Sequence, residues 1–491
     1  MLERYDTEGF FDELIGPDGR PREASAPLLT RLAEFSDGNL RLRQRAAEAA
    51  LLQSGITFNV YDDGRAAERI IPFDVIPRVI AADDWSPVEA GLIQRIHAMN
   101  CFIDDMFGDR RIVAEGVIPE RFLHTGREQI WDRCRGIKPP RGIYCHISGI
   151  DLVRDGDGTF RVLEDNLRCP SGVSYVLENR RILKQTLPRV FDAMQVRPVD
   201  DYPELLLRTL RHIAPVGVEQ PTVVVLSPGV FNSAYFEHAY LAQQMGVGLV
   251  TGSDLVVQDG RVHRITTDGL DRVDVIYRRI DDDFLDPKWF RPDSMLGVPG
   301  LMEVYAAGNL GLANAPGTGI ADNKVVYAFV PDMIRFYLDQ DPILSNVDTW
   351  LCGRDADRAH VLANLDKLVV KPAHEAGGKG ILIGPHASAA ERAATADAVR
   401  ADPDNWIAQP TLALSRAPTL VMPDAGNPGS GEPADVTLEG RHIDLRPFIL
   451  YGPQIRVLPG GLTRVALRKG SLIVNSSMGG GTKDTWVLGS H

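Results

Sequence analysis

Two carboxylates and an amide at short spacing are the first residues in this chain that could do chemistry. Asp151 lies in the apolar run GIYCHISGIDLVR. Glu164 and Asn166 lie in TFRVLEDNL, with Asp155-Gly156-Asp157-Gly158 between the two runs. Asp-Gly pairs between apolar runs predict a β-hairpin. Residues two apart on a strand share a face, so Glu164 and Asn166 point the same way and Asp151 can sit opposite Glu164. Such an oxygen-only cluster suits magnesium, which keeps water and phosphate oxygens in its remaining positions. Arg168 follows at once and can hold a phosphoryl group or a carboxylate bidentately. The alternative is a solvated acidic hairpin. Against it, the polar run DNLRCPSG directly follows the apolar VLE.

A second constellation is LVVKPAHEAGGKG. Lys371 stands at the end of a buried strand and can reach a nucleotide phosphate as a point charge. Gly377, Gly378 and Gly380, with Lys379 among them, can present backbone N–H groups to phosphates. Glu375 can add a metal ligand. This is not a Walker A loop, because Lys379 is followed by Gly380 rather than Ser or Thr. By itself the segment is equally compatible with a tight turn carrying an incidental lysine. A third constellation is C-terminal. Asp444-Leu445-Arg446 and Thr463-Arg464 put arginines on apolar strands, with their charges expected to face a cleft. The run Ser476 to Lys483 contains Gly479 and Gly480 and reads as a second glycine-rich phosphate loop.

Other residues carry less. His146, His374 and His442 lack metal-ligand spacing and read as structural. Cys169 sits beside the acidic segment without features of a nucleophile. No GxSxG motif is present.

The elements that position these groups follow from periodicity. ASAPLLTRLAEFSDGNLRLRQRAAEAALLQSG reads as two helices. Residues 86–110 read as an amphipathic helix capped by Ser86 with Pro87 at its first position. PTVVVLSPG, FNSAYFEHAYLAQQMG and VGLVTGSDLVV give strand, helix and strand, and VDVIYRRI adds a strand, which together predict a parallel α/β unit. A helix, VVYAFVPDMIRFYL, starts after Asp322-Asn323. Residues 424–440 read as a Gly/Pro-rich loop, followed by C-terminal strands.

With 491 residues the chain has room for about three domain-sized units. A net charge of −13 argues against non-specific binding to nucleic acid or anionic membranes. It leaves room for an anionic substrate at a few placed cations. Five scattered cysteines without CxxC spacing predict neither disulfides nor a zinc site, and fit a reducing cytoplasm. No signal peptide or transmembrane run is expected. Gly489-Ser490-His491 read as a tag remnant.

Taken together, these pieces resemble the ATP-grasp superfamily in its circularly permuted type 2 branch. That branch is often labelled glutathionylspermidine-synthase-like and is distantly similar to glutathione synthetase. LEDNLRCPSGVSYVLENR, YRRIDDDFLDP, NAPGTGIADNK, DLRPF and PGGLTRVALRKGSLIVNSSMGGG are among the blocks that look like the family's. The magnesium-type hairpin precedes the lysines instead of following them, which is the mark of permutation. The resemblance implies an α/β (α+β) permuted ATP-grasp fold. Its expected divisions are a mainly helical segment at 1–85, the metal hairpin part at 86–200 and a parallel α/β substrate-side unit at 201–318. The nucleotide-lysine and glycine-loop part would follow at 319–420, and strands completing the core at 421–488.

It also implies roles. Lys324 and Lys371 would be nucleotide lysines, Gln409 would lie at the adenine hinge, and HEAGGKG would cover the phosphates. Asp151, Glu164, Asn166 and Glu375 would hold Mg²⁺. Arg168, Ser171 and Arg279 would contact substrate, and Arg168, Arg446 and Arg464 would stabilise the transferring phosphoryl group. The expected activity is an ATP-dependent carboxylate–amine ligation through an acyl phosphate, with a small-molecule or peptide carboxylate, an amine acceptor and room for homo-oligomers. A nucleotide-binding regulatory protein or a phosphotransferase are the alternatives.

Overall fold

The computed structural model describes residues 5–490 other than 56, 63, 64, 125–129, 374–379, 423–435, 473 and 475–479, and only the backbone of 57–62 and 65–70. Its centre is the expected hairpin. Strands Ile147–Arg154 and Phe160–Asn166 pair antiparallel, and Asp151 stands directly opposite Glu164. The register shifts next to this pair, because Leu152 pairs with Val162 and leaves Leu163 as the extra residue. Such a bulge bends a strand and re-aims its side chains. The turn closes through the Gly158 amide to the Asp155 carbonyl at 2.8 Å, and Gly158 takes a φ of +80°. A side chain there would also meet the Phe11 ring.

The C-terminal strand Phe448–Tyr451 adds to this sheet beside Ile147–Arg154, giving the strand order 345–346, 160–166, 147–154, 448–451, 455–457. An early and a late segment also meet, since Phe73–Ile80 runs parallel to Gly481–Val487. The segment 1–85, expected to be mainly helical, is therefore mixed helix and strand among its described residues. Helices Ala26–Ala33 and Asp37–Gln53 are followed by three strands, and the last of these is buried throughout.

The parallel unit is present. Strands 311–313, 275–278, 223–226 and 248–250 lie in that order, all parallel, with helix Tyr235–Met245 crossing between two of them. A separate antiparallel sheet, in the order 350–351, 406–410, 368–372, 382–383, carries Lys371 and Gln409.

Three local expectations are corrected. The helix predicted from Ser86 starts at Ala82, which leaves Pro87 inside it. Asp83 and Asp84 favour the earlier start at the positive helix end, and Trp85 is fully buried there. The helix after Asn323 is two helices, Lys324–Tyr327 and Val330–Leu338, because Pro331 opens the second and has no N–H to continue the first. Strand Thr437–His442 begins inside the run read as a loop and pairs with Arg416–Val421.

Candidate functional site

Alternation along Phe160–Asn166 splits Glu164, Asp165 and Asn166 between two faces. Asp165 points into the core, where Arg95 of helix Ala82–Phe107 grips it with two hydrogen bonds of 2.7 and 2.6 Å. Burial pushes the Asp165 carboxyl up, and Arg95 opposes that shift. Glu164 points the other way and meets Lys324 Nζ at 3.1 Å, keeping 29% of its side chain exposed. Asn166 shares the Glu164 face, and its Nδ2 is buried without a hydrogen-bond partner.

Lys324 opens a short helix whose cap is Asn323, which accepts from the Val325 amide at 2.8 Å. The Lys324 amide donates to the carbonyl of Ala373, two residues beyond Lys371. This backbone bond ties the two lysine segments together. Lys371 Nζ lies 2.7 Å from Gln409 Oε1 on the neighbouring strand, and Gln409 Nε2 donates to Thr349. Burial pulls the Lys371 ammonium down to about 8. The Lys324 charge adds to the depression, and Glu164 and Asp151 oppose it. A lysine so depressed is short of negative charge, which a phosphate would supply.

The other carboxylate of the hairpin face is differently placed. Asp151 accepts from Arg446 through both oxygens and from Arg464 Nη2 at 2.8 Å. Arg464 also grips Asp444, with Nε 2.9 Å from Oδ1. Burial pushes Asp151 up, but Arg446 and Arg464 outweigh it and hold the carboxyl well below its usual range. Asp444, which shares only Arg464, is left raised by burial. The expectation that Arg446 and Arg464 face an open cleft is therefore corrected. On buried strands a guanidinium needs an anion, and these two find Asp151 and Asp444. Asp151 is likewise no free ligand. A carboxylate has about four acceptor sites, and three are taken here.

Arg168 Nε donates to Asp322 at 2.6 Å, and the Leu167 amide donates to the other Asp322 oxygen. Arg279, expected at the substrate, is instead buried. It donates to the Pro170 carbonyl and Tyr277 hydroxyl at 2.8 Å and to Glu237 at 3.0 Å. Glu237 also accepts from the Gly172 and Ser174 amides, so this pair fixes the loop that leaves the hairpin. The Ser171 carbonyl lies 3.5 Å from Arg446 Nη1. Glu375, Gly377, Gly378, Lys379 and Gly479 lie outside the described residues. Gly480 is buried just before the final strand.

The donors that remain fit a hard cation and a polyphosphate. Glu164 is accessible and Asp151 keeps one acceptor site, while the unpartnered buried atom of Asn166 on the same face is the N–H donor Nδ2, so Asn166 would ligate a cation only through Oδ1. Among the described residues no three His, Cys, Asp or Glu side chains gather as a metal site, so the set needs the amide oxygen and a ligand's own oxygens.

Sequence reasoning did not single out Asp322, Asn314, Glu237 or Arg95. Arg95 had a signal, a cation on the apolar face of LIQRIHAMN. Asp322 had one too, an acid two residues before a lysine in a glycine-rich run.

Residues 77–466 match the family model described as circularly permuted ATP-grasp type 2. The chain belongs to that family. An uncharacterized protein of Synechocystis sp. is 56% identical over 489 residues, covering 99% of both chains. An uncharacterized Mycobacterium leprae protein is 49% identical over 98% of this chain and 83% of its own. A Frankia alni protein named "Putative glutamate--cysteine ligase 2-3" is 42% identical over 99% of this chain, which spans only 54% of that protein. A solved glutathione synthetase like-effector from Globodera pallida superposes with a TM-score of 0.57 at 12% identity, over 93% of this chain and 98% of its own. That likeness speaks for the ATP-grasp fold alone. None of the described helices is long and apolar enough to cross a membrane.

Proposed function

We propose that this ATP-grasp protein is an ATP- and magnesium-dependent carboxylate–amine ligase. The reading rests on one observation above others. Glu164 of the hairpin meets Lys324, whose backbone is bonded to the Lys371 segment, although these parts are far apart in the chain.

Lys324 and Lys371 would hold the nucleotide phosphates, with Gln409 on the strand beside Lys371 near the base. Glu164 and Asn166, with the remaining site of Asp151, would hold magnesium, which neutralises phosphate charge when bound. A substrate carboxylate oxygen attacks the γ-phosphorus, the bond to ADP breaks, and an acyl phosphate forms. An amine then attacks the acyl carbon, phosphate leaves with the bonding pair, and the amine gives up its proton. The chain's task is mostly positioning and charge. Arg168 is the cation best placed for the substrate anion, because its side chain is 37% exposed while Arg446 and Arg464 are 15% and 9%.

The glutamate–cysteine ligase name of the Frankia relatives supports amide formation as a reaction class. It does not identify substrates here, since the chain spans about half of those proteins. Phosphate release across carboxylate and amine pairs, with mass spectrometry of products, tests the reading. An amine-dependent amide product is expected. A phosphorylated substrate that accumulates with every amine would favour a phosphotransferase.

A further inference from the structure

Residues 314–324 link the parallel unit to the first lysine, and along their length they hold the exit of the hairpin. Asn314 accepts from the His146 and Ile147 amides at 2.8 Å and donates to the Ile147 and Leu167 carbonyls at 2.6 Å. Thr318 Oγ1 donates to the Leu167 carbonyl at 3.2 Å. Gly319 makes room for the stem of Arg168, since a Cβ there would come within 2.9 Å of its Cδ. Asp322 then takes the Leu167 amide with one oxygen and Arg168 Nε with the other, at 2.6 Å. Asn323 caps the helix, and Lys324 reaches Glu164.

This order has a geometric consequence. Asp322 and Lys324 are two residues apart, as are Glu164 and Asn166, with Leu167 and Arg168 next in line. One short segment therefore sets where the Arg168 guanidinium stands relative to the Glu164–Lys324 pair. Asp322 engages Arg168 through Nε only. Among the described residues the two terminal nitrogens of Arg168 make no hydrogen bond. A guanidinium held by Nε can still offer its terminal pair to a carboxylate or phosphoryl group.

We propose that Asp322 is a positioning residue that holds Arg168 by Nε, keeping both terminal nitrogens free for the anionic group of the substrate beside Glu164 and Lys324. This rests on the ligase reading for the identity of that group. A merely structural Asp322 would support folding and nucleotide binding alike. A positioning Asp322 acts on the substrate step through Arg168.

The test uses the full chain with a carboxylate found active in the screen, and hydroxylamine as the amine. Asp322→Asn should lower kcat/KM for the carboxylate by roughly 10- to 100-fold and leave KM for ATP within about twofold. Arg168→Lys keeps the charge but loses Nε–H, and should show the same selective loss. The double variant should lose no more than either single one, because both remove one interaction. Losses that add, or an ATP affinity that falls in step with kcat, would overturn the proposal. If Asp322→Asn does not fold, Gly319→Ala displaces the same arginine and must give the same selective loss. A wild-type chain that releases no ADP with any carboxylate sinks the ligase reading alone. The clamp is then read from hydrogen exchange at the Leu167 amide, which must accelerate in Asp322→Asn while binding of an ATP analogue is retained. Unchanged exchange there would refute it.

Discussion

The hairpin face has two sides built from the same kinds of groups and finished differently. On the C-terminal side, Asp151, Arg446, Arg464 and Asp444 form a closed chain of buried ion pairs. On the lysine side, Glu164 and Lys324 pair while Glu164 stays partly exposed, and Lys371 leans on an amide. Buried charges that satisfy one another define a scaffold. Breaking one such pair costs about 3–5 kcal/mol because a charge is left stranded. Charges left incompletely paired are those a ligand can complete. In the proposed ligase reading the arginine side holds shape, and the lysine side takes the phosphates.

The largest effect that would test this contrast is on activity. Glu164→Gln should cut ADP formation by about a hundredfold or more. Its thermal stability should fall by less than that of a variant in a fully buried pair, because Glu164 keeps 29% of its side chain exposed and water screens its contact with Lys324. Turnover at the parent rate in this variant would remove Glu164 from the site.

Next in size is the opposite face of the same strand. Asp165→Asn should lower unfolding free energy by about 3–5 kcal/mol in urea titrations, since Arg95 would lose its partner inside the core. Its ADP formation per folded molecule should survive. If the two neighbouring variants behave alike, the division of faces is wrong.

The smallest effect is a pH dependence. Lys371 is pulled down to about 8 from its ordinary 10.5. Phosphate binds its charged form, so nucleotide affinity should weaken as pH rises through about 8, approaching tenfold per unit. The ligand-free fold shows the opposite trend. Below about pH 8 it carries the cost of a buried ammonium, and that cost fades as pH climbs toward 10.5. Lys371→Arg cannot lose its proton in this range and should flatten the binding profile in a fluorescent-nucleotide titration.

Much of the site was legible because its signals are local. The Asp-Gly turn and the two-residue spacing of Glu164 and Asn166 require only strand geometry. Lys371 at the end of an apolar run is similarly short-range, whereas Lys324 was implied by the family resemblance. The roles of Arg279, Arg446 and Arg464 were not legible. A buried arginine on a strand looks the same in sequence whether it meets a substrate or a carboxylate, and here their partners are Glu237, Asp151 and Asp444. The N-terminal 85 residues were misread in part for a related reason. Strand Phe73–Ile80 depends on a partner far along the chain. No local pattern announces that pairing.

By itself the sequence determined the inventory. It supplied a hairpin with oxygen donors on one face, two lysines later in the chain, and the permuted order of these blocks. The hairpin face and the placing of Lys371 follow from periodicity and spacing, which act over a few residues, while the role of Lys324 and the permuted order were implied by the family resemblance. The tertiary structure decided which charges are free. Asp151 and Glu164 stand opposite each other as expected, but burial beside two arginines closes one and leaves the other open. That difference arises from long-range packing and desolvation, which are properties of the folded chain and not of any segment.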